Sequence, residues 1–150
     1  MKIKIVGIGH ALGGDDFVGI KVVEELSNEI FDDNIEFITT MDPSRIIYLI
    51  EESDVMIVVD AVIGEKEGEV YIINHENFPK YLKPISSHGF EVPFAVETAK
   101  KLGIDISKKL KIVGITIKEI VMYSDELSEE VRKAIPKAKE VIKKLLNQVQ

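Results

Sequence analysis

Two adjacent carboxylates at the end of a glycine-rich turn have the clearest chemical potential in this sequence. The β-branched stretch Ile3–Val6 enters Gly7-Ile8-Gly9-His10-Ala11-Leu12-Gly13-Gly14, and the turn delivers Asp15 and Asp16 to the start of an amphipathic helix. Helix starts ordinarily hold anions, because unbonded N–H groups and the dipole favour negative charge there. Here the chain supplies its own anions, which would repel a phosphate and attract a cation. The turn therefore reads as built for a metal rather than a nucleotide.

Two further donors are placed to join it. Asp60 closes the apolar run Val55-Met56-Ile57-Val58-Val59, and His88 lies in Ser86-Ser87-His88-Gly89, read as a small-residue turn ahead of a helix. In a parallel α/β sheet, ligands bind beyond the carboxyl ends of the strands, which is the edge where these residues fall. Two carboxylates and an imidazole suit a borderline divalent ion such as Ni²⁺ or Zn²⁺, with coordination positions left open. Each residue also has a structural role open to it: helix cap for Asp16, turn cap for Asp60, surface or capping position for His88. Only their convergence on one edge favours the metal. Asp15 is expected to be an exposed first-turn acid.

The elements that must position these residues alternate between strand and helix signals. Val55–Val59 lacks alternation, as expected of a strand buried on both faces, and is expected to end at Asp60. Lys111–Ile117 reads as another interior strand, Ile35–Ile38 as a shorter one, and Val70–Ile73 as an edge candidate. Four helices fit between and after them. The first runs from about Asp16 to Phe31, and the second is capped by Asp42 with Pro43 at its first position. The third starts near Pro93 and stops at Gly103. The last is capped by Ser128, turns Leu127, Val131, Ala134, Ile135, Ala138, Ile142 and Leu145 inward, and should kink at Pro136. The segment from Ile63 to His88 is the least regular and the one best suited to touch a partner.

Composition bounds the rest. A chain of 150 residues, 45% hydrophobic, with charges of both signs throughout, is expected to form one soluble domain. Its net charge of -7 disfavours nucleic acid and anionic membrane surfaces, and no stretch reaches membrane-spanning length. The absence of cysteine excludes disulfides, zinc fingers and thiol nucleophiles, and points to the cytoplasm. Other catalytic schemes fail on single residues. Leu12 stands where a dinucleotide fingerprint needs its third glycine, and Pro79 where His75-Glu76 would need the second histidine of a zinc protease. Neither a phosphate loop nor a Gly-x-Ser-x-Gly elbow is present.

Across nearly the whole chain, these residues resemble the hydrogenase maturation proteases, endopeptidases that trim the C-terminus of the NiFe-hydrogenase large subunit once nickel is inserted. The likeness runs through the Gly9 turn, Gly14-Asp15-Asp16-Phe17-Val18-Gly19, Val58-Val59-Asp60-Ala61, Gly64 with Gly68, Ser86-Ser87-His88, Ile112-Val113-Gly114-Ile115 and Leu127-Ser128-Glu129-Glu130-Val131. It implies a three-layer α/β/α domain of the phosphorylase/hydrolase-like kind, with a mostly parallel twisted sheet spanning residues 1–150. It also implies that Asp16, Asp60 and His88 match the nickel-contacting acid, aspartate and histidine, with the nickel supplied by the substrate. The implied partner is a hydrogenase large-subunit precursor met by a monomer. Three positions depart from the family pattern: His10 in place of Asn, Thr39–Ser44 in place of Gly-Gly-Thr, and Glu67 before Gly68 in place of proline. They suit a divergent, archaeal branch. A nickel-sensing, chaperone-like module that does not cleave stays open beside the peptidase. So does a small-molecule binder, which the glycine turn favours and Asp15-Asp16 disfavour.

Overall fold

The β-branched runs become five strands of one sheet: β1 (Ile3–Ile8), β2 (Ile35–Thr40), β3 (Val55–Ile63), β4 (Val70–Ile73) and β5 (Leu110–Ile117). The computed structural model describes residues 1–74 and 87–150, with residues 87–91 described by their backbone alone. The strand order is β2-β1-β3-β5-β4. All pairings are parallel except β4 with β5, so the short strand expected at an edge is one, and it runs antiparallel. β2 forms the other edge and is only partly buried, whereas β1 and β3 are buried along nearly their whole length.

Strand alternation sends side chains to two separate cores. On one face, Ile3 and Ile5, Ile57 and Val59, and Val113 and Ile115 meet Val18, Val22 and Leu26 of α1 (Val18–Ser27). The same layer holds Val131, Ala134, Ile135, Ala138, Ile142, Leu145 and Leu146 of the C-terminal helix, Glu129–Val149. On the other face, Val6 and Ile8, Met56 and Val58, and Ile112 meet α2 (Ile46–Glu51) and α3 (Ser87–Lys101). A short helix, α4 (Ile106–Lys109), adds Ile106 to this second core, and the C-terminal helix is α5. Sequence periodicity missed α4 because a single turn is too short to show a stripe. Each fully buried aliphatic side chain contributes about 1.5–3 kcal/mol, so the two faces together hold the sandwich.

Four expectations need correction. β3 does not end at Asp60 but continues to Ile63, because β5 pairs with it in register from Met56↔Leu110 to Ile63↔Ile117 and satisfies its backbone. α3 does not start near Pro93; residues 87–92 are already helical and Pro93 lies inside, so His88 sits on a helix rather than in a turn ahead of one. α1 is shorter than Asp16–Phe31, for a 3-10 turn (Gly14–Phe17) precedes it and Phe31 lies beyond its end, exposed. Asp15 is half-buried and bonded rather than exposed. The remaining boundaries agree to within two residues, β2 running past Ile38 to Thr40 and α3 ending at Lys101. Asp42 caps a 3-10 turn (Pro43–Arg45) leading into α2, Gly103 follows α3 at φ 85, and Ser128 precedes α5.

Candidate active site

The carboxyl edge of β1 and β3 is assembled by close backbone packing. Gly19, in the first turn of α1, lies so near the sheet that a Cβ there would collide with the Val59 carbonyl oxygen and stand 2.7 Å from that of Ile8. This approach brings the 3-10 turn onto the end of β1 and against β3. The turn itself is folded by the Gly13 N–H donating to the His10 carbonyl (3.0 Å) and the Asp16 N–H donating to the Gly13 carbonyl (3.2 Å). Gly14, at φ 61, takes the left-handed conformation that the reversal requires.

Asp16 and Asp60 are both almost completely buried, each 2% exposed. Ionisable side chains are rarely so enclosed without partners, and neither lacks one. The Asp60 carboxylate accepts a hydrogen bond from the Ala61 N–H at 2.9 Å. Asp60 follows Val59, the partner of Gly7 in β1, and lies opposite Gly114 in β5. By alternation its side chain shares the face of Met56 and Val58, the face covered by α2 and α3. The structure thus brings two of the three expected residues to one edge. The third, His88, has its backbone in α3, which packs on that same face of β3, while its side chain lies outside the described residues. His75 is outside them too. Among the described residues no group of three His, Asp or Glu side chains is placed to hold a metal ion.

Neighbouring loops complete the edge. The Gly9 N–H donates to the Thr40 carbonyl at 3.2 Å, which sets the Thr39–Ser44 segment beside the glycine turn. Within that segment the Asp42 carboxylate accepts from the Ser44 hydroxyl (2.6 Å) and N–H (3.0 Å), and these bonds hold its carboxyl below the usual range. On the opposite flank, the Gly14 N–H donates to the Ser124 carbonyl (2.8 Å) and the Ser124 N–H to the Leu12 carbonyl (3.2 Å). Four apolar side chains stand in solvent around this junction: Leu12, Val121, Met122 and Tyr123. Sequence reading missed this flank entirely, because the contacts join segments more than a hundred residues apart and Tyr123 carries no turn signature despite its φ of 62.

Comparison with known proteins matches this architecture. The family model for hydrogenase maturation protease covers residues 20–145. The chain is 37% identical over 141 residues to protein FrxA of Pyrococcus furiosus, covering 90% of this chain and 98% of that one. Its fold superposes on the hydrogenase maturating endopeptidase HybD from E. coli with a TM-score of 0.82 at 24% identity, over 99% of this chain and 94% of that one. The NiFe hydrogenase maturation protease HybD from Thermococcus kodakarensis superposes with a TM-score of 0.73 at 25% identity, over 97% and 99% of the two chains. With a three-layer domain of the same kind, two enclosed aspartates at the expected edge and a family match over most of its length, the chain belongs to the hydrogenase maturation protease family.

Proposed function

We propose that this protein is a cytoplasmic endopeptidase that removes the C-terminal extension of a NiFe-hydrogenase large-subunit precursor after nickel insertion, recognising the nickel carried by that substrate. The observation that carries the reading is the enclosure of Asp16 and Asp60 at one sheet edge, in a chain of the maturation protease family. In this scheme Asp16, Asp60 and His88 contact the nickel of the bound precursor. Two carboxylates and an imidazole are donors a borderline ion accepts, and the peptide supplies further ligands. The ion then polarises the scissile carbonyl or lowers the pKa of a bound water towards about 7. Asp16 meets the ion through one carboxylate oxygen, and its other oxygen takes the proton from the attacking water. The exposed apolar side chains beside the turn suit a protein substrate better than a small molecule.

The test is mass spectrometry of a large-subunit precursor, nickel-loaded or nickel-free, after incubation with the protein. A truncated product is expected only from the nickel-loaded sample. Asp16→Ala, Asp60→Ala and His88→Ala are each expected to slow its appearance by about a hundredfold or more. Wild-type rates in the Asp16 and His88 variants would sink the assignment. Nickel-dependent association with no shortened product would instead favour the sensing module, for which the altered Thr39–Ser44 loop and His10 speak.

A further inference from the structure

We propose that Asp15 is a positioning residue for the reaction, acting through Asp16 by latching the turn that carries it to the N-terminus of α5; this rests on the peptidase reading above. The Asp15 carboxylate accepts two hydrogen bonds from Ser128, one from its N–H at 2.6 Å and one from its hydroxyl at 2.8 Å, across 113 residues of sequence. Ser128 is the N-cap residue of α5, yet its hydroxyl makes no capping bond to its own helix. A serine in that position ordinarily accepts from the N–H of the second or third helical residue. Here the hydroxyl is directed to Asp15 instead, and the carboxylate stands at the positive end of a 21-residue helix, where negative charge is favoured.

A second tie runs beside the first. Gly14 is held to Ser124 by the bond from its N–H, and Ser124 is held in turn to Leu12. The two residues preceding Asp16 are therefore anchored to the 124–128 segment, one by backbone and one by side chain. On its other side the chain enters α1, whose Gly19 is pressed against the carbonyls of Val59 and Ile8. Anchored at both ends, the turn leaves the Asp16 carboxylate little freedom to wander. A group that must meet a metal or a proton needs that restraint, since a displacement of about 1 Å can lower a rate by about a hundredfold.

The experiment compares wild type with Asp15→Ala, Asp15→Asn and Ser128→Ala in the full chain, and places Asp15→Ala also in an Asp16→Asn background. Amide hydrogen exchange at Gly14 and Asp16 reports the latch, and kcat and KM for a nickel-loaded precursor report its effect. Asp15→Ala is expected to speed exchange at both amides at least tenfold and to lower kcat at least tenfold with KM within twofold. Asp15→Asn keeps an acceptor for Ser128 and should recover part of the loss, and Ser128→Ala should give a smaller change of the same sign. In the Asp16→Asn background the Asp15 substitution should add little, because residues acting as one unit are not additive. Unchanged exchange at the two amides, or a kcat loss of full size in that background, would overturn the inference. If the wild-type chain cuts no precursor, the peptidase reading falls and the exchange result alone decides the latch.

Discussion

Gly19 shows at the scale of a single residue how little room separates fold from site. It touches the carbonyls of Val59 and Ile8 at the edge where Asp16 and Asp60 lie, so any side chain there must push α1 away from the sheet. Gly19→Ala is expected to destabilise the protein by about 1–3 kcal/mol, the usual cost of overpacking, read as a lower urea midpoint. Gly68 is restrained in another way. It sits at φ 83 with the Glu130 carbonyl oxygen 2.6 Å from where a Cβ would be, so conformation and space both exclude a larger residue. Neither requirement is visible in sequence, where a glycine looks the same in every turn. Asp15 and Asp16 make the point more sharply: two identical neighbours, of which one is enclosed at the sheet edge and the other bonded to Ser128.

Among the elements, α5 shows its role most openly in the sequence. Its apolar positions recur at helical spacing: six of the seven residues expected to face inward, from Val131 to Leu145, are buried, Leu127 is half-buried just ahead of the helix, and Leu146 joins the buried set. Ile142, fully enclosed, is a suitable probe: Ile142→Ala should cost about 2–5 kcal/mol through lost burial and the cavity left behind, measured by equilibrium denaturation. What periodicity does not reveal is the charged strap on its outer side. Lys139 bridges Glu25 of α1 at 3.2 Å and Glu29 at 2.6 Å, and Lys143 reaches Glu29 at 2.9 Å. Hydrogen bonds from Lys139 and then Lys143 hold the Glu29 carboxyl below its ordinary range, and the bond to Glu29 raises Lys139. The contribution of Glu29 is therefore present above its unfolded pKa of about 4.3 and lost as pH falls through the lower folded value. That of Lys139 is present below about 10.4 and lost as pH rises through its higher folded value. A Glu29→Gln variant should melt below wild type at pH 7, and the gap should close as the buffer is taken below the ordinary glutamate range and through the lowered folded value.

Taken whole, the molecule is a sheet enclosed between two helical layers with its candidate chemistry on the rim. No helix among the described residues is long and apolar enough to cross a membrane. Among the described residues the large apolar side chains left in solvent are scattered, apart from those beside the glycine turn, and the free chain is expected to sediment as a 16.8 kDa monomer. Since the nickel is assigned to the substrate, prior dialysis of the protein against a chelator should leave its cleavage rate on nickel-loaded precursor unchanged. Removal of nickel from the precursor should abolish cleavage. A chelator-sensitive protein would show instead that it carries an essential ion of its own.

How much of this was legible depended on whether the cause was local. Hydrophobic alternation and continuous apolar runs announced the strands, and the 3.6-residue stripe announced α5, because burial of a face leaves a periodic trace in the chain itself. The pairing of Asp42 with Pro43 was equally local, a cap and a first helical residue that need no distant partner. Asp60 misled because an aspartate is unusual inside a strand, and only pairing with β5 shows that the strand runs on to Ile63. Pro93 misled in the same way, for a proline suits a helix start until the buried face of Val92, Ala95, Val96 and Ala99 carries the helix through it. Sequence alone therefore determined the five strands and the four longer helices, their alternation and the residue types able to bind a cation, but not the single-turn α4. Tertiary structure decided the strand order, the enclosure of Asp16 and Asp60 at one edge and the bonding of Asp15 to Ser128, since each depends on contacts between segments that no local pattern joins.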